Sequence, residues 1–224
     1  MVQRSEQAGR VLDLARAQAE GFGHRYLGPE HLVLGVLRES GSRASRLLEA
    51  NGVDLAAART ALRRLADRGA VPGPRPSDAE LLGSLGIDLE AIRRTTEQTF
   101  DRQALGWAIR EATPARGRGV GRVPRTPLRD PPMLISQALY HAGEQARALG
   151  IEEIGPELLL LGVVTDIQTP WPRCMHNRWR RQLHASVGLP AGYRGAAGPL
   201  LAAFGVELAE LAAALLAELR AGVP

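Results

Sequence analysis

Gly23-His24-Arg25-Tyr26-Leu27-Gly28-Pro29-Glu30-His31-Leu32-Val33-Leu34-Gly35-Val36-Leu37 reads as a tight turn feeding a short, very apolar helix. Gly28 frees the backbone to turn, and Pro29 suits the first helical position, where no N–H is needed. Leu32, Val33, Leu34, Val36 and Leu37 point in nearly every direction around a helix, and a helix apolar all round belongs in the middle of something. Glu30 and His31 are its polar exceptions, both in the first turn. A degraded copy returns as Ala148-Leu149-Gly150-Ile151-Glu152-Glu153-Ile154-Gly155-Pro156-Glu157-Leu158-Leu159-Leu160-Leu161-Gly162. Two copies of one unit predict a chain built twice on a single design.

Working outward, Ser5 is placed to cap a helix whose apolar stripe is Val11, Leu12, Leu14, Ala15, Ala19 and Phe22. Downstream of the buried helix, a short helix through Ala44, Leu47 and Leu48 stops at Asn51-Gly52, and Asp54 caps a fourth through Leu55, Ala58, Leu62 and Leu65. Four helices in residues 1–70 make the first unit. The grammar of glycine stop, β-branched anchor, acidic cap and new helix recurs at Gly86-Ile87-Asp88-Leu89 and at Gly205-Val206-Glu207-Leu208. The middle occurrence predicts a helical half-repeat at 78–112. It lies within a 71–131 spacer that ends in an Arg-, Gly- and Pro-rich run. The second unit spans 132–224 and carries an insertion at about 165–199 that holds Trp171, Cys174, His176, Trp179, Arg180, Arg181 and His184.

Composition narrows the function. Of 224 residues only 4% are aromatic, and Ala and Leu are abundant, so helices are favoured over sheets. The net charge is +4, and all 28 basic residues are arginine; a charge this small does not by itself require a nucleic acid. A chain without lysine cannot carry a Walker A phosphate cradle, which needs one. With a single cysteine, no signal-like apolar leader, and Glu207, Glu210 and Glu218 interrupting the apolar stretch from Leu200 to Leu219, a cytoplasmic protein off the membrane is expected.

Ser5-Glu6-Gln7-Ala8 leading to Val11-Leu12-Asp13-Leu14-Ala15, the Gly23 to Gly35 signature and Leu47-Leu48 with Gly52-Val53-Asp54-Leu55 resemble the Clp N-terminal domain. That is the substrate-receiving module of ClpA- and ClpC-type unfoldases. The likeness is close over residues 4–66 and weaker over 132–164 and 200–219. It implies an all-α fold of two tandem pseudo-twofold four-helix repeats, here with a helical spacer and a loop insertion in the second. It also implies a protein without the ATPase rings and without catalysis or cofactor. The partners implied are proteins or peptides: a Clp unfoldase, its adaptors or its degradation substrates, with cyclic-peptide antibiotics as a further ligand class.

In ClpC-like members, phosphorylated arginines are held at two equivalent sites, a glutamate taking the guanidinium and a helix-start threonine helping with the phosphate. By that resemblance Glu30 and Glu157 match the two glutamates, Ser5 matches the first threonine, and His31 is the motif histidine. This sequence departs from the pattern at Pro29, Pro156, Leu158 and Pro132. The first pocket, with Glu30 and Ser5, is therefore expected to be the better preserved.

Competing chemistries find less support. His24 and His31 are seven apart with no third ligand nearby, and Cys174, His176 and His184 have only loose metal-like spacing, so no metal is expected. His184-Ala185-Ser186-Val187-Gly188 lacks the first glycine of a nucleophile elbow. The rival class is a helix-turn-helix DNA-binding regulator, suggested by the helix–glycine–helix grammar and the arginines. Against it, the helix after each glycine stop begins with an acid.

Overall fold

The computed structural model describes residues 3–72, 88, 91, 134–170, 184–185, 188–190 and 192–221. The eight described helices are α1 (Glu6–Gly21), α2 (Pro29–Arg38), α3 (Arg43–Ala50), α4 (Leu55–Asp67), α5 (Ser136–Leu149), α6 (Pro156–Gln168), α7 (Ala197–Ala202) and α8 (Leu208–Ala221). The fold is all-α apart from two short strands, β1 (Gln3–Arg4) and β2 (Glu153–Ile154). They pair in parallel with Gln3 opposite Glu153 and Arg4 opposite Ile154, a contact the helical reading did not anticipate.

Residues 1–75 and 126–224 make one compact unit, and residues 76–125 a second. In the second unit the described residues are Asp88 and Ala91, where the Asp88 carboxylate accepts the Ala91 N–H at 3.0 Å, as an acidic cap does. The rest of the half-repeat expected at 78–112 lies outside the described residues. So does part of the 165–199 insertion (171–183, 186–187 and 191); within it α6 runs on to Gln168 and α7 begins at Ala197.

In the first unit several helix starts have a local cause. Ser5, Ser42 and Asp54 cap α1, α3 and α4, accepting from Ala8 N–H, Ser45 N–H, and both Ala56 and Ala57 N–H. Pro29 and Pro156 open the two central helices. Nine of the ten residues of α2 are buried, from Pro29 to Leu37, because α1, α3, α4, α6 and α7 all pack on it. α6 is the counterpart, with Leu158, Leu159, Leu160, Leu161, Val163 and Val164 in the same core.

Equivalent contacts recur 127 residues apart. A Cβ on Gly35 would lie 2.6 Å from the Val11 carbonyl oxygen and 3.0 Å from Ala15; one on Gly162 would meet the Ala138 carbonyl oxygen and Ala142. These glycines let α1 cross α2, and α5 cross α6, at backbone distance. The turns that enter the central helices match as well. Gly23 and Gly150 have φ of +68° and +69°, and His24 N–H and Ile151 N–H reach back to Ala19 O at 2.9 Å and Ala146 O at 2.8 Å.

Candidate functional site

The four residues the sequence singled out lie at the two central helix N-termini, but not in the pairing expected. Ser5 N–H donates to Ile154 O at 3.0 Å, in the segment that leads into Glu157. The segment that leads into Glu30 receives Leu134 N–H on Leu27 O at 2.8 Å. The two halves are thus crossed, and Ser5 belongs to the Glu157 end rather than the Glu30 end. The residue 127 positions after Ser5 is Pro132, which has no N–H to give.

Both glutamates hold the start of a helix in the opposite half. Glu157 Oε1 accepts Arg43 N–H at 3.0 Å and Ala44 N–H at 3.4 Å, so it supplies acceptors at the start of α3. Glu30 Oε2 accepts Ala196 N–H at 2.8 Å, immediately before α7. This reciprocal exchange is a cross-cap between the halves. It needs an acceptor oxygen at these two positions regardless of any ligand.

The two ends then differ in access and polarity. Glu157 is half-buried, as is Ser5. Glu30 and His31 are both 0% exposed. Around Glu30, Tyr193 O–H donates to Oε1 at 3.5 Å and Tyr26 and Tyr193 share a 3.3 Å hydrogen bond. Gly195 closes on the same spot, where an added Cβ would lie 2.5 Å from Pro29 and 2.8 Å from Glu30 Oε2. Residues 188–190 and 192–196 therefore lie as a strap over the start of α2, with Leu189 and Tyr193 packed on Tyr26 and Leu134. Beside it is a shallow cleft lined by Pro29, Ile167, Arg194 and Pro199. There Arg194 donates to Thr169 O at 2.7 Å and to Asp166 O, tying the strap to the end of α6.

Beneath the strap, Gly28 N–H donates to His31 Nδ1 at 2.9 Å, and His31 Nε2 lies 2.8 Å from His24 Nδ1. With His31 Nδ1 accepting, its proton sits on Nε2 and is donated to His24. Burial holds both imidazoles neutral, with pKa values down to about 4 for His24 and about 3 for His31. The proximity of His31 adds to the depression at His24, and Glu30 opposes it. Burial pushes the Glu30 carboxyl upward, against the Ala196 N–H and the other donors that favour its charged form. The two tyrosine hydroxyls are also pushed up, chiefly by burial.

Residues 3–79 match the family model of the Clp repeat (R) N-terminal domain. The relatives agree. The chaperone protein ClpC2, chloroplastic, of Oryza sativa subsp. japonica is 47% identical over 58 residues, 26% of this chain and 6% of that protein. The ATP-dependent Clp protease ATP-binding subunit ClpA homolog of Guillardia theta is 47% identical over 58 residues, 7% of its length. Over residues 3–79 the chain is similar to the Clp repeat N-terminal domain. The fold likeness reaches further: the N-terminal domain of the caseinolytic protease associated chaperone ClpD from Arabidopsis thaliana aligns with 97% of this chain and 95% of its own. The TM-score is 0.52 and the identity 17%. The chain spans less than a tenth of the length of the curated relatives above.

Sequence reasoning found the two glutamates but missed what holds them. Arg43, Ala196 and Tyr193 are 114, 166 and 163 residues from the carboxylates they meet. The only local signal was an aromatic between glycines at Gly192-Tyr193-Arg194-Gly195. Among the described residues no group of three or more His, Cys, Asp or Glu could hold a metal, and no helix is long and apolar enough to cross a membrane. The α4 arginines are partly engaged in packing: Arg59 Nε donates to Gln18 at 2.8 Å, and Arg63 lies 5.6 Å over the Phe22 ring. The basic aromatic cluster of the insertion, including Trp171, Trp179, Arg180 and Arg181, lies outside the described residues.

Proposed function

We propose that the chain is a non-catalytic module that binds protein segments in Clp-dependent proteolysis, as an adaptor or modulator of an unfoldase. The observation that carries this reading is the match of residues 3–79 to the Clp repeat N-terminal domain. The half-buried end at Ser5 and Glu157 is the ligand-facing one. There the start of α1, with Ser5 Oγ accepting Ala8 N–H, offers a helix N-terminus suited to an anion, and Glu157, whose Oε1 accepts the Arg43 and Ala44 N–H groups, supplies a carboxylate for a guanidinium. A phosphorylated arginine side chain carries both charges. Glu30 and His31 form the equivalent end under the strap. A single cysteine fits a reducing compartment, and we place the protein in the cytoplasm.

Calorimetry with a peptide phosphorylated on arginine, set against its unphosphorylated twin, tests the reading. Preferential binding of the modified peptide is expected, weakened at least tenfold in Glu157→Gln, which keeps an acceptor for Arg43 N–H while removing the charge. Equal or absent binding of both peptides would remove the phosphoarginine part. Failure to associate with an unfoldase ring in sedimentation would remove the adaptor part.

A further inference from the structure

The fold does not need the two histidines under the strap. At the matching turn of the second half the chain follows the same path, yet Ile151 stands where His24 does and Leu158 where His31 does. A buried polar pair kept in one half and replaced by aliphatic residues in the other is a departure that packing alone does not require. The pair is also mechanically linked to the strap. Tyr26 stacks on His24 with centroids 5.1 Å apart and meets His31 edge-on at 5.4 Å. On its other side it meets Tyr193 of the strap edge-on at 5.8 Å.

We propose that His24, His31 and Tyr26 form an acid-operated latch beneath the strap of residues 188–190 and 192–196, so that protonating the histidine pair releases the strap and opens Glu30 to solvent. The hydrogen-bond chain has no place for an added proton. On His31 Nδ1 it would oppose the Gly28 N–H, and on His24 Nδ1 it would oppose the His31 N–H. The groups that face the pair do not rescue it. Glu30 Oε1 is 3.9 Å from His31 Nδ1, outside hydrogen-bond reach, and the carboxylate is already engaged by Ala196 and Tyr193. Phe22, stacked on His24 at 5.6 Å, brings the cationic Arg63 of α4 over its far face, while Arg59 is held by Gln18 of α1. Tyr26 and Tyr193 are hydroxyls. Arg194 of the strap is committed to α6, where Asp166 lies 3.5 Å away.

Opening returns the imidazoles to water and to their ordinary affinity for protons, near pH 6.5. Below that pH the open population grows by up to about tenfold per pH unit for each histidine, about a hundredfold for the pair, until the closed form itself titrates. Glu30 works the other way. Its carboxyl binds a proton more readily when closed than when open, so falling pH favours closure through that group.

Hydrogen exchange of the full chain between pH 7.5 and 5.0, corrected for intrinsic rates, reads the latch at the Gly28 and Ala196 amides. Protection at both should fall more than tenfold while the α6 amide of Leu159 keeps its own. In the double variant His24→Ile/His31→Leu, Ala196 should stay protected at both pH values. Unchanged protection in the wild type, a fall in step with Leu159, or the same fall in the double variant would each overturn the latch. Glu30→Gln gives an independent reading should the double variant not fold. Removing the opposing group must steepen the pH dependence, and an unchanged or shallower slope overturns the proposal.

Discussion

At the scale of single residues, one carboxylate serves at each end, and its surroundings decide its cost. Glu157 is half-buried and accepts two N–H groups at the start of α3. Glu157→Ala should destabilise the chain by about 1 kcal/mol in urea unfolding, the usual loss when helix-start N–H groups lose their acceptor. Glu157→Gln should recover most of that, because its amide oxygen can take the same bond. Glu30 is fully buried, with its pKa raised chiefly by that burial. Its favourable contribution is therefore present in full below the ordinary carboxylate pKa and is lost as pH rises through the raised one. Glu30→Gln should match the wild type near pH 4 and become the more stable of the two as pH rises toward 8, measured as paired urea midpoints. A wild type that stays more stable at pH 8 would mean the carboxylate has a cationic partner. The histidines run in the opposite sense. Their depressed values remove stability as pH falls from about 6.5, down to about 4 at His24 and about 3 at His31.

At the scale of elements, what the sequence made legible follows the physics of local signals. Ser5, Asp54 and the Pro29 and Pro156 starts act within a few residues of themselves, so the helices they bound could be read directly. The same is true of α2 as a central helix, since five large apolar side chains in one turn-and-a-half leave no polar face. Contacts between distant segments left no such trace. The β1–β2 pair involves two residues from each strand, too few for any alternation to show. The strap depends on Tyr193 and Ala196 meeting Glu30 across more than 160 residues, so Glu30 could be marked as special while its burial could not. Gly35 sits between the two cases, a glycine in a helix whose reason is another helix. Gly35→Ala would place a Cβ 2.6 Å from Val11 O, so α1 and α2 must part. We expect a loss of about 1–3 kcal/mol by urea unfolding despite the better helix propensity of alanine. A stabilised variant would show that α1 does not approach α2 this closely.

At the scale of the whole molecule, the question is whether the first half, which carries the family match, can stand without the second. The structure argues that it cannot. α2 has α6 and α7 on the sides that α1, α3 and α4 leave open, and α8 packs on both α3 and α6. The first half also receives structural parts from the second: the β2 partner of β1, the Leu134 bond to Leu27 and the Glu157 acceptor at the start of α3. Cutting the chain after residue 72 would expose apolar surface around α2 and leave the Arg43 and Ala44 amides without their carboxylate. A unit of about 70 residues has little core to spare for such a loss. The fragment 1–72 should therefore show weak helicity by circular dichroism and no cooperative thermal transition, and adding residues 126–224 as a separate chain should restore both. A cooperative transition in the isolated fragment would show instead that the first half folds alone and that the cross-caps merely dock two finished halves.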